Sequence, residues 1–320
     1  MVNSAASLLS TGEIMYQAAA ISELAPSLAY LLPDTRYFEM DSKRAGTRFS
    51  AWITPPANYD EDQTKAYPVV YQVDGNLFFP ATAPFHQALP RDGISPIRPF
   101  ILVSISYAAQ ESQDWQWLRV RDLVPPGEPV PEAMYQALEY SEQAGLVTAE
   151  KAERYRAMFA APAADKFLAF IEEELHPALA GIFRIDEAEA GLWGDSYGGL
   201  FAVYAAINRS KLFKRIGAGS PGIIDGSQIF CAYREAVASR NDYSGRRLHV
   251  TLASLELTQP TIYQSIVARG TAALLAETTL RPLPGLQVST EIIPLETHLT
   301  AGVPAWFSFL RACYGMVPAA

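Results

Sequence analysis

Basic residues are scarce in this sequence, and they form no dense run. The 320 residues contain 25 lysines and arginines against 34 aspartates and glutamates, so the formal net charge is −9. Proteins that bind nucleic acids need clustered positive charge to neutralise phosphates. The composition therefore argues against a nucleic-acid partner.

Motifs for metals and cofactors are also missing. The chain has two cysteines, Cys231 and Cys313, and four histidines. They form no cluster with metal-ligand spacing, and no glycine-rich phosphate loop follows a strand apart from the serine motif described below. We expect two buried free thiols, no bound metal and no cofactor.

Patterns typical of a secretory signal or a membrane span are also missing from the given sequence. The sequence has no lysine or arginine before Arg36 and no apolar run of transmembrane length. A secretory signal begins with a positively charged region, and a membrane helix needs about 20 apolar residues. These absences predict a soluble, cytoplasmic protein without a membrane partner. They do not indicate an oligomeric state.

The sequence does contain strand patterns that alternate with helical patterns. Continuous apolar runs at 67–73 and 100–107 are typical of buried parallel strands, whereas 48–55 alternates and predicts an antiparallel edge strand. Four more strands are predicted at 187–194, 215–220, 248–254 and 286–293, and helices at 165–179, 197–208, 227–238, 261–279 and 302–314. This order predicts one α/β domain over 1–320, with a mostly parallel central sheet and helices on both faces.

Two segments lie outside this alternation. Residues 1–35 are rich in alanine and leucine with helical spacing, which predicts a packed N-terminal extension. Residues 126–164 start with prolines and continue with two helical patterns. Ligands of open α/β sheets bind at the carboxyl ends of the strands, so an insertion here is a candidate lid. The alternative is a surface hairpin without a role in binding.

The central motif is GLWGDSYGGLF at 191–201, which matches G-x-S-x-G between a strand pattern and a helical pattern. Such a nucleophile elbow holds its serine in a strained turn and lets the next helix pass close behind. Side chains at Gly194 and Gly198 would collide there. The motif predicts Ser196 as a nucleophile and the Tyr197 amide as an oxyanion donor.

A catalytic serine needs an imidazole that accepts its proton. On elbows of this type the residues follow the order serine, acid, histidine, which excludes His86 and His176 as the base. His249 lies at the start of a strand, whereas His298 follows the last strand in a loop. We therefore predict His298 as the general base.

The acid of the triad orients the imidazole and should follow a strand between the serine and the histidine. Glu256 lies two residues beyond the strand predicted at 248–254. We predict Glu256 as this acid. The other acidic residues in the interval fit less well: Asp225, Asp242 and Glu296.

Other residues are candidates for oxyanion and substrate binding. The second oxyanion donor normally comes from the loop after the third strand, where the Asn76 amide is best placed. The segments that contain His86 and Trp115 follow the carboxyl ends of predicted strands, so both residues could line the pocket. Core packing is an equal alternative. Arg119 and Arg121 could together bind an anionic group, but a structural salt bridge between Arg121 and Asp122 or a neighbour is the stronger alternative.

These residues together resemble the putative-esterase family of α/β-hydrolases, which includes enterochelin and other siderophore esterases. The matching blocks are YPVVY at 67–71, DGN at 74–76, RVRDLVP at 119–125, FIEEEL at 170–175, the elbow at 194–201, SP at 220–221 and ASLE at 253–256. Two departures stand out. The family usually has Gly-His where this chain has Thr297-His298, and the insertion at 126–164 replaces a short connection.

The resemblance implies an α/β-hydrolase fold. It also implies transfer of an acyl group to a serine nucleophile, which is the chemistry that the motifs predict. We therefore predict a serine carboxylic-ester hydrolase that acts on a small-molecule ester through an acyl-enzyme. Two alternatives remain at this point. One is an acyltransferase that uses the same triad, and the other is a catalytically silent hydrolase fold that only binds a ligand.

Overall fold

The computed structural model describes residues 22–23, 28, 30–208 and 210–316. These residues form a sheet of nine strands, and the prediction for most of the N-terminal extension falls outside them. The strands are β1 (Ser22–Glu23), β2 (Arg36–Asp41), β3 (Arg48–Thr54), β4 (Tyr67–Gln72), β5 (Ile101–Tyr107), β6 (Ile185–Asp195), β7 (Arg215–Gly219), β8 (Arg247–Ala253) and β9 (Gln287–Ile293).

The strand order is β1-β2-β3-β5-β4-β6-β7-β8-β9. The pairs from β1 through β3 to β5 are antiparallel, and the pairs from β5 across to β9 are parallel. The carboxyl ends of six neighbouring strands therefore meet at one edge of the sheet, where open α/β sheets bind ligands.

Helices cover both faces of the sheet. They are α1 (Gly75–His86), α2 (Trp115–Leu123), α3 (Glu132–Gln143), α4 (Ala149–Ala160), α5 (Ala164–Phe170), α6 (His176–Ala180), α7 (Tyr197–Ile207), α8 (Gln228–Ser239), α9 (Ser254–Thr258), α10 (Arg269–Leu280) and α11 (Gly302–Tyr314). Wider π-type turns at Ile171–Leu175 and Gln264–Ala268 lead into α6 and α10. None of the described helices is long and apolar enough to cross a membrane.

Neighbouring residues of the central strands enter two different cores. Leu192 of β6 belongs to the larger core with α7, and the next residue, Trp193, belongs to the smaller core with α1 and α11. Val69 and Val70 of β4 divide in the same way. Because side chains alternate across a strand, a continuous apolar run is required when both faces are covered. The predicted mostly parallel sheet with two covered faces is confirmed.

Three elements differ from the sequence prediction. The strand at Arg48–Thr54 is antiparallel but not at the edge, because the unpredicted β2 pairs along its outer side. Helix α1 begins where a turn was expected, since Asp74 adopts a left-handed conformation (φ 56°) and caps it. Helix α2 was not predicted.

Both cysteines are free in the described chain, but Cys231 is exposed instead of buried.

The segment between α2 and β6 contains α3 and α4, in the region where a helical pair was predicted. Helix α4 packs against α2, where the rings of Trp117 and Tyr155 stack with centroids 5.9 Å apart. Lys151 Nζ also lies 2.7 Å from a carboxylate oxygen of Asp114. These contacts fasten the pair beside the carboxyl edge of the sheet.

Candidate active site

Ser196 lies at the sharp turn between β6 and α7. Its backbone has φ 59° and ψ −117°, a strained conformation for a residue with a side chain. A Cβ atom on Gly194 would lie 2.4 Å from the Gly198 carbonyl oxygen, and one on Gly198 would lie 2.8 Å from Val73 Cγ2. The two glycines are required because the strand, the turn and the helix pass this close together.

His298 connects this serine with a buried carboxylate. Its Nε2 atom lies 2.9 Å from Ser196 Oγ, and its Nδ1 atom lies 2.5 Å from Glu256 Oε1. Glu256 is 2% exposed, and its Oε2 accepts hydrogen bonds from Ser220 Oγ at 2.8 Å and from the Ala253 amide at 3.0 Å. The carboxylate is therefore fixed on one oxygen and free to orient the imidazole with the other.

The ring of Tyr263 stacks on the His298 imidazole, with centroids 4.2 Å apart and planes inclined by 20°. Tyr263 was not among the site residues predicted from the sequence. It lies within a segment predicted as helix, and nothing in its local pattern relates it to a loop near the end of the chain. Ser220 was noted only as part of a family block.

Two backbone amides at helix N-termini are free near the elbow. Tyr197 is the first residue of α7 and Asn76 is the second residue of α1. Within the described chain neither amide has a hydrogen-bond acceptor, whereas the next two amides of α1, at Leu77 and Phe78, bond to the Asp74 carbonyl. The Asn76 side chain accepts a hydrogen bond from the Tyr107 amide at 2.9 Å, which anchors this turn to β5.

Arg119 fastens the turn before α1 to the elbow. Its Nε and Nη2 atoms donate to the two carboxylate oxygens of Asp74 at 2.8 and 2.6 Å, and Nη2 also lies 3.2 Å from the Asp195 carbonyl oxygen. The guanidinium carbon lies 5.8 Å from the centroid of the Trp115 ring and 5.3 Å from that of the Tyr197 ring. A planar, two-pronged cation suits this bidentate and stacked position.

A cavity of about 420 Å³ opens over Ser196 and His298. Its walls come from α1, α2, α3, the turn after β7, the segment before α10 and the loop that carries His298. Trp115, Met134, Ile266 and Tyr263 are among the lining residues. The site therefore combines a serine, an imidazole and a carboxylate in hydrogen-bonding contact beneath a mostly apolar cavity.

Known proteins resemble this chain in sequence. The sequence profile of a family described as "Putative esterase" matches residues 139–264. The chain is 25% identical over 239 residues to ferri-bacillibactin esterase BesA of Bacillus subtilis, across 73% of this chain and 74% of that protein. It is 30% identical over 212 residues to the siderophore triacetylfusarinine C esterase of Aspergillus fumigatus, across 65% of this chain and 61% of that protein. The chain is an ester-hydrolysing serine hydrolase, and its sequence is similar to those of siderophore esterases.

Solved structures resemble this chain in fold. Siderophore hydrolase EstA from Aspergillus nidulans superposes with a TM-score of 0.68 at 21% identity, covering 91% of this chain and 96% of its own. An IroE-like serine hydrolase from Shewanella oneidensis gives 0.66 at 22% identity, covering 87% and 79%. The predicted α/β-hydrolase fold is confirmed.

Two of the three predicted substrate-binding residues of this esterase lie elsewhere. His86 is 3% exposed at the end of α1, with its ring edge-on to Phe100, and is not among the cavity residues. Arg121 forms a bidentate ion pair with Asp122, at 2.7 Å for both contacts, as the alternative interpretation expected. Trp115 does line the cavity.

Asp195 directly precedes the serine of the elbow. It is 5% exposed, and its Oδ1 has no hydrogen-bond partner in the described chain. Burial, together with the nearby charge of Glu256, holds the pKa of Asp195 well above its usual range. The Asp195 carboxyl group therefore takes up a proton more readily than an exposed aspartate does.

In the described part of this esterase, no three histidine, cysteine, aspartate or glutamate side chains group closely enough to hold a metal ion. The absence of a cofactor stays a prediction of the sequence.

Proposed function

We propose that this chain hydrolyses small-molecule carboxylic esters through Ser196, His298 and Glu256, with an acyl-enzyme intermediate. The observation that carries the proposal is the pair of hydrogen bonds made by His298, to Ser196 Oγ at 2.9 Å and to Glu256 Oε1 at 2.5 Å. Nucleophile, base and orienting acid are recognised by this geometry on unrelated folds.

In the first half of the reaction His298 Nε2 takes the proton of the Ser196 hydroxyl while Oγ attacks the ester carbonyl. Glu256 holds the Nδ1 proton and stabilises the imidazolium that forms. The free amides of Tyr197 and Asn76 are the proposed donors to the oxyanion. The imidazolium then protonates the leaving alcohol, and the acyl group stays on Ser196.

In the second half a water molecule replaces the alcohol. His298 takes one proton from the water, whose oxygen attacks the acyl carbon, and returns that proton to Ser196 Oγ as the acid leaves. Overall one ester and one water give one acid and one alcohol. No group other than these side chains and amides is required.

The relatives support a proposal for the substrate class. BesA is named as a ferri-bacillibactin esterase, and the Aspergillus fumigatus relative is named as a siderophore esterase. We propose an ester-containing siderophore, or a small ester of similar shape, as the substrate of this chain. The helical segment at 126–164 is proposed as a cover of the site within a single domain over 1–320, and a cytoplasmic location also stays a proposal.

Hydrolysis of short p-nitrophenyl esters tests the assignment. Replacement Ser196→Ala removes the nucleophile, so turnover should fall on the order of a millionfold. The matched control is Ser239→Ala, which removes an exposed hydroxyl at the end of α8 and should leave the rate unchanged. Equal activity of Ser196→Ala and the unaltered protein would reject Ser196 as the nucleophile.

Acyl transfer is the second candidate, and the observation that favours it is the apolar wall that α3 adds to the cavity, with Pro131, Ala133 and Met134. An apolar cover can exclude water and leave the acyl-enzyme to an alcohol. Product analysis with added alcohols separates the two reactions, because only transfer yields a new ester in preference to the free acid.

A further inference from the structure

The charges around Ser196 restrict which esters can bind, given the hydrolase function proposed above. Arg119 is the only lysine or arginine among the described residues that line the cavity. An anionic substrate would need this guanidinium, or another cation, as its partner.

Arg119 is already neutralised within the protein. Both carboxylate oxygens of Asp74 accept its hydrogen bonds, and the Asp74 side chain is only 1% exposed. The guanidinium also lies over two aromatic rings, and the Arg119 side chain is 14% exposed. The positive charge of Arg119 is therefore already paired in the contacts that hold α1, α2 and the elbow together.

The other ionisable groups at the site are acidic or paired with an acid. Glu256 is buried and bound to His298, and Asp195 is buried without a partner for one oxygen within the described chain. The charges of Arg119 and Asp74 cancel. When His298 is neutral, the carboxylate of Glu256 therefore gives the site a net negative charge. The whole chain carries a formal charge of −9.

Among the described residues, the remaining wall offers an anion no further cation, and its polar side chains are few, among them Gln116 and Tyr263. Most of it consists of aliphatic side chains from the helices and loops above Ser196, namely Met134, Ile224, Ile262, Ile266, Val267 and Leu299. A carboxylate placed among them loses its hydration without gaining a partner, and such burial is strongly unfavourable.

We infer that this active site selects uncharged esters with apolar groups near the scissile bond and rejects esters that carry an anionic group there. The inference applies to iron chelates as well. Three hydroxamates around Fe³⁺ give an uncharged complex, whereas three catecholates leave three negative charges. Among siderophore esters, the charge of this site fits the uncharged complexes.

The first test compares two esters of equal length, p-nitrophenyl hexanoate and the mono-p-nitrophenyl ester of hexanedioic acid. Burial of an unpaired carboxylate should lower kcat/KM on the order of 100-fold or more, after correction for the uncatalysed rates. Comparable values for the two esters would overturn the inference while leaving the hydrolase function intact. Failure to hydrolyse either ester would instead contradict the proposed function.

The second test adds a cation to the wall. Met134→Lys on α3 should raise kcat/KM for the anionic ester relative to the neutral one by about tenfold, since it supplies the missing partner. Gln136→Lys is the matched control, because it adds the same charge on an exposed position of the same helix and should leave the ratio unchanged.

Ile262→Lys provides a second cation if Met134→Lys does not fold, because Ile262 lines the cavity but is 47% exposed at its mouth. Thermal unfolding of each variant establishes that it is folded. A folded cavity lysine that leaves the ratio at the value of Gln136→Lys would overturn the inference, since charge would then not determine the preference.

Discussion

Tyr263 lies flat against the His298 imidazole and is placed to act on the proposed base. The face of an aromatic ring carries negative potential, which favours the imidazolium that forms when the base takes the proton of serine. The stacked ring, 4.2 Å away between centroids, also limits rotation of the imidazole out of its two hydrogen bonds. Tyr263 is therefore a positioning residue in our interpretation.

Loss of the ring should slow the chemical step. Tyr263→Leu removes the stacking and is expected to lower kcat about tenfold, in line with cation–π contributions of ~1 kcal/mol or more. Tyr263→Phe keeps the aromatic face and should stay within about twofold of the unaltered protein. Steady-state kinetics on an uncharged ester measures both. Equal losses in the two variants would show that the hydroxyl group matters and the stacking does not.

The contrast between Arg119 and Arg121 shows where sequence reasoning reached its limit. Chain order and strand ends led to Ser196 and His298, whose positions depend on topology. The two arginines belong to α2, which the sequence did not reveal. Residues two apart on a helix point in different directions, so Arg119 reaches Asp74 and Arg121 reaches Asp122. Without knowledge of this helix, no sequence feature separates the roles of the two arginines.

At the level of elements, the turn between β6 and α7 depends on glycine more than on hydrogen bonds. Gly194 lies at the end of the strand, where its Cα faces the backbone of Gly198 in the first turn of the helix. This contact is between two main chains, so neither side can relax by a change of rotamer. The strain at Ser196 is maintained by the same close approach.

Gly194→Ala should therefore distort the elbow. The added Cβ would lie 2.4 Å from the Gly198 carbonyl oxygen, so the strand and the helix must separate. We expect ester hydrolysis to fall at least about 100-fold and the protein to lose several kcal/mol of stability, as overpacked backbone contacts do.

The control for this change is Gly93→Ala, at a glycine without a positive φ where no described atom lies within 4 Å of the added Cβ. This variant should keep both activity and stability. Urea unfolding and p-nitrophenyl ester assays on the two variants provide the comparison. An active, stable Gly194→Ala protein would contradict the geometric argument.

Helices α1 and α3 illustrate why some elements are visible in a sequence and others are not. Helix α3 is amphipathic and has no internal proline, so its spacing is readable. Helix α1 contains Pro80 and Pro84, which normally interrupt a helix. It forms because Phe78, Phe79 and Ala83 are buried beneath the sheet. Tertiary packing overrides local propensity there.

For the whole molecule, burial of neutral histidines relates stability to pH. Burial lowers the pKa of His86, His176 and His249, three of the four histidines in the chain. His86 shows the largest effect, since desolvation lowers its pKa to about 4. Buried carboxyl groups with raised pKa values, such as Asp195, act in the opposite direction over the acidic range. The contribution of one histidine to the pH dependence of stability is therefore measured by comparing the protein with a variant that lacks this histidine.

His86→Leu is expected to reduce the acid sensitivity of the fold. In the unfolded chain His86 binds a proton near pH 6.5, whereas in the folded protein it does so only near pH 4. Between these values the unfolded state holds more protons, so stability falls as the pH falls. At about pH 5 this costs about 2 kcal/mol, which the leucine variant should not lose.

The free energy of unfolding in urea, measured for both proteins at about pH 7.5 and about pH 5, gives the difference directly. The effects of changed packing and of the carboxyl groups cancel in this comparison. The same loss of stability in both proteins would mean that His86 is protonated in the fold.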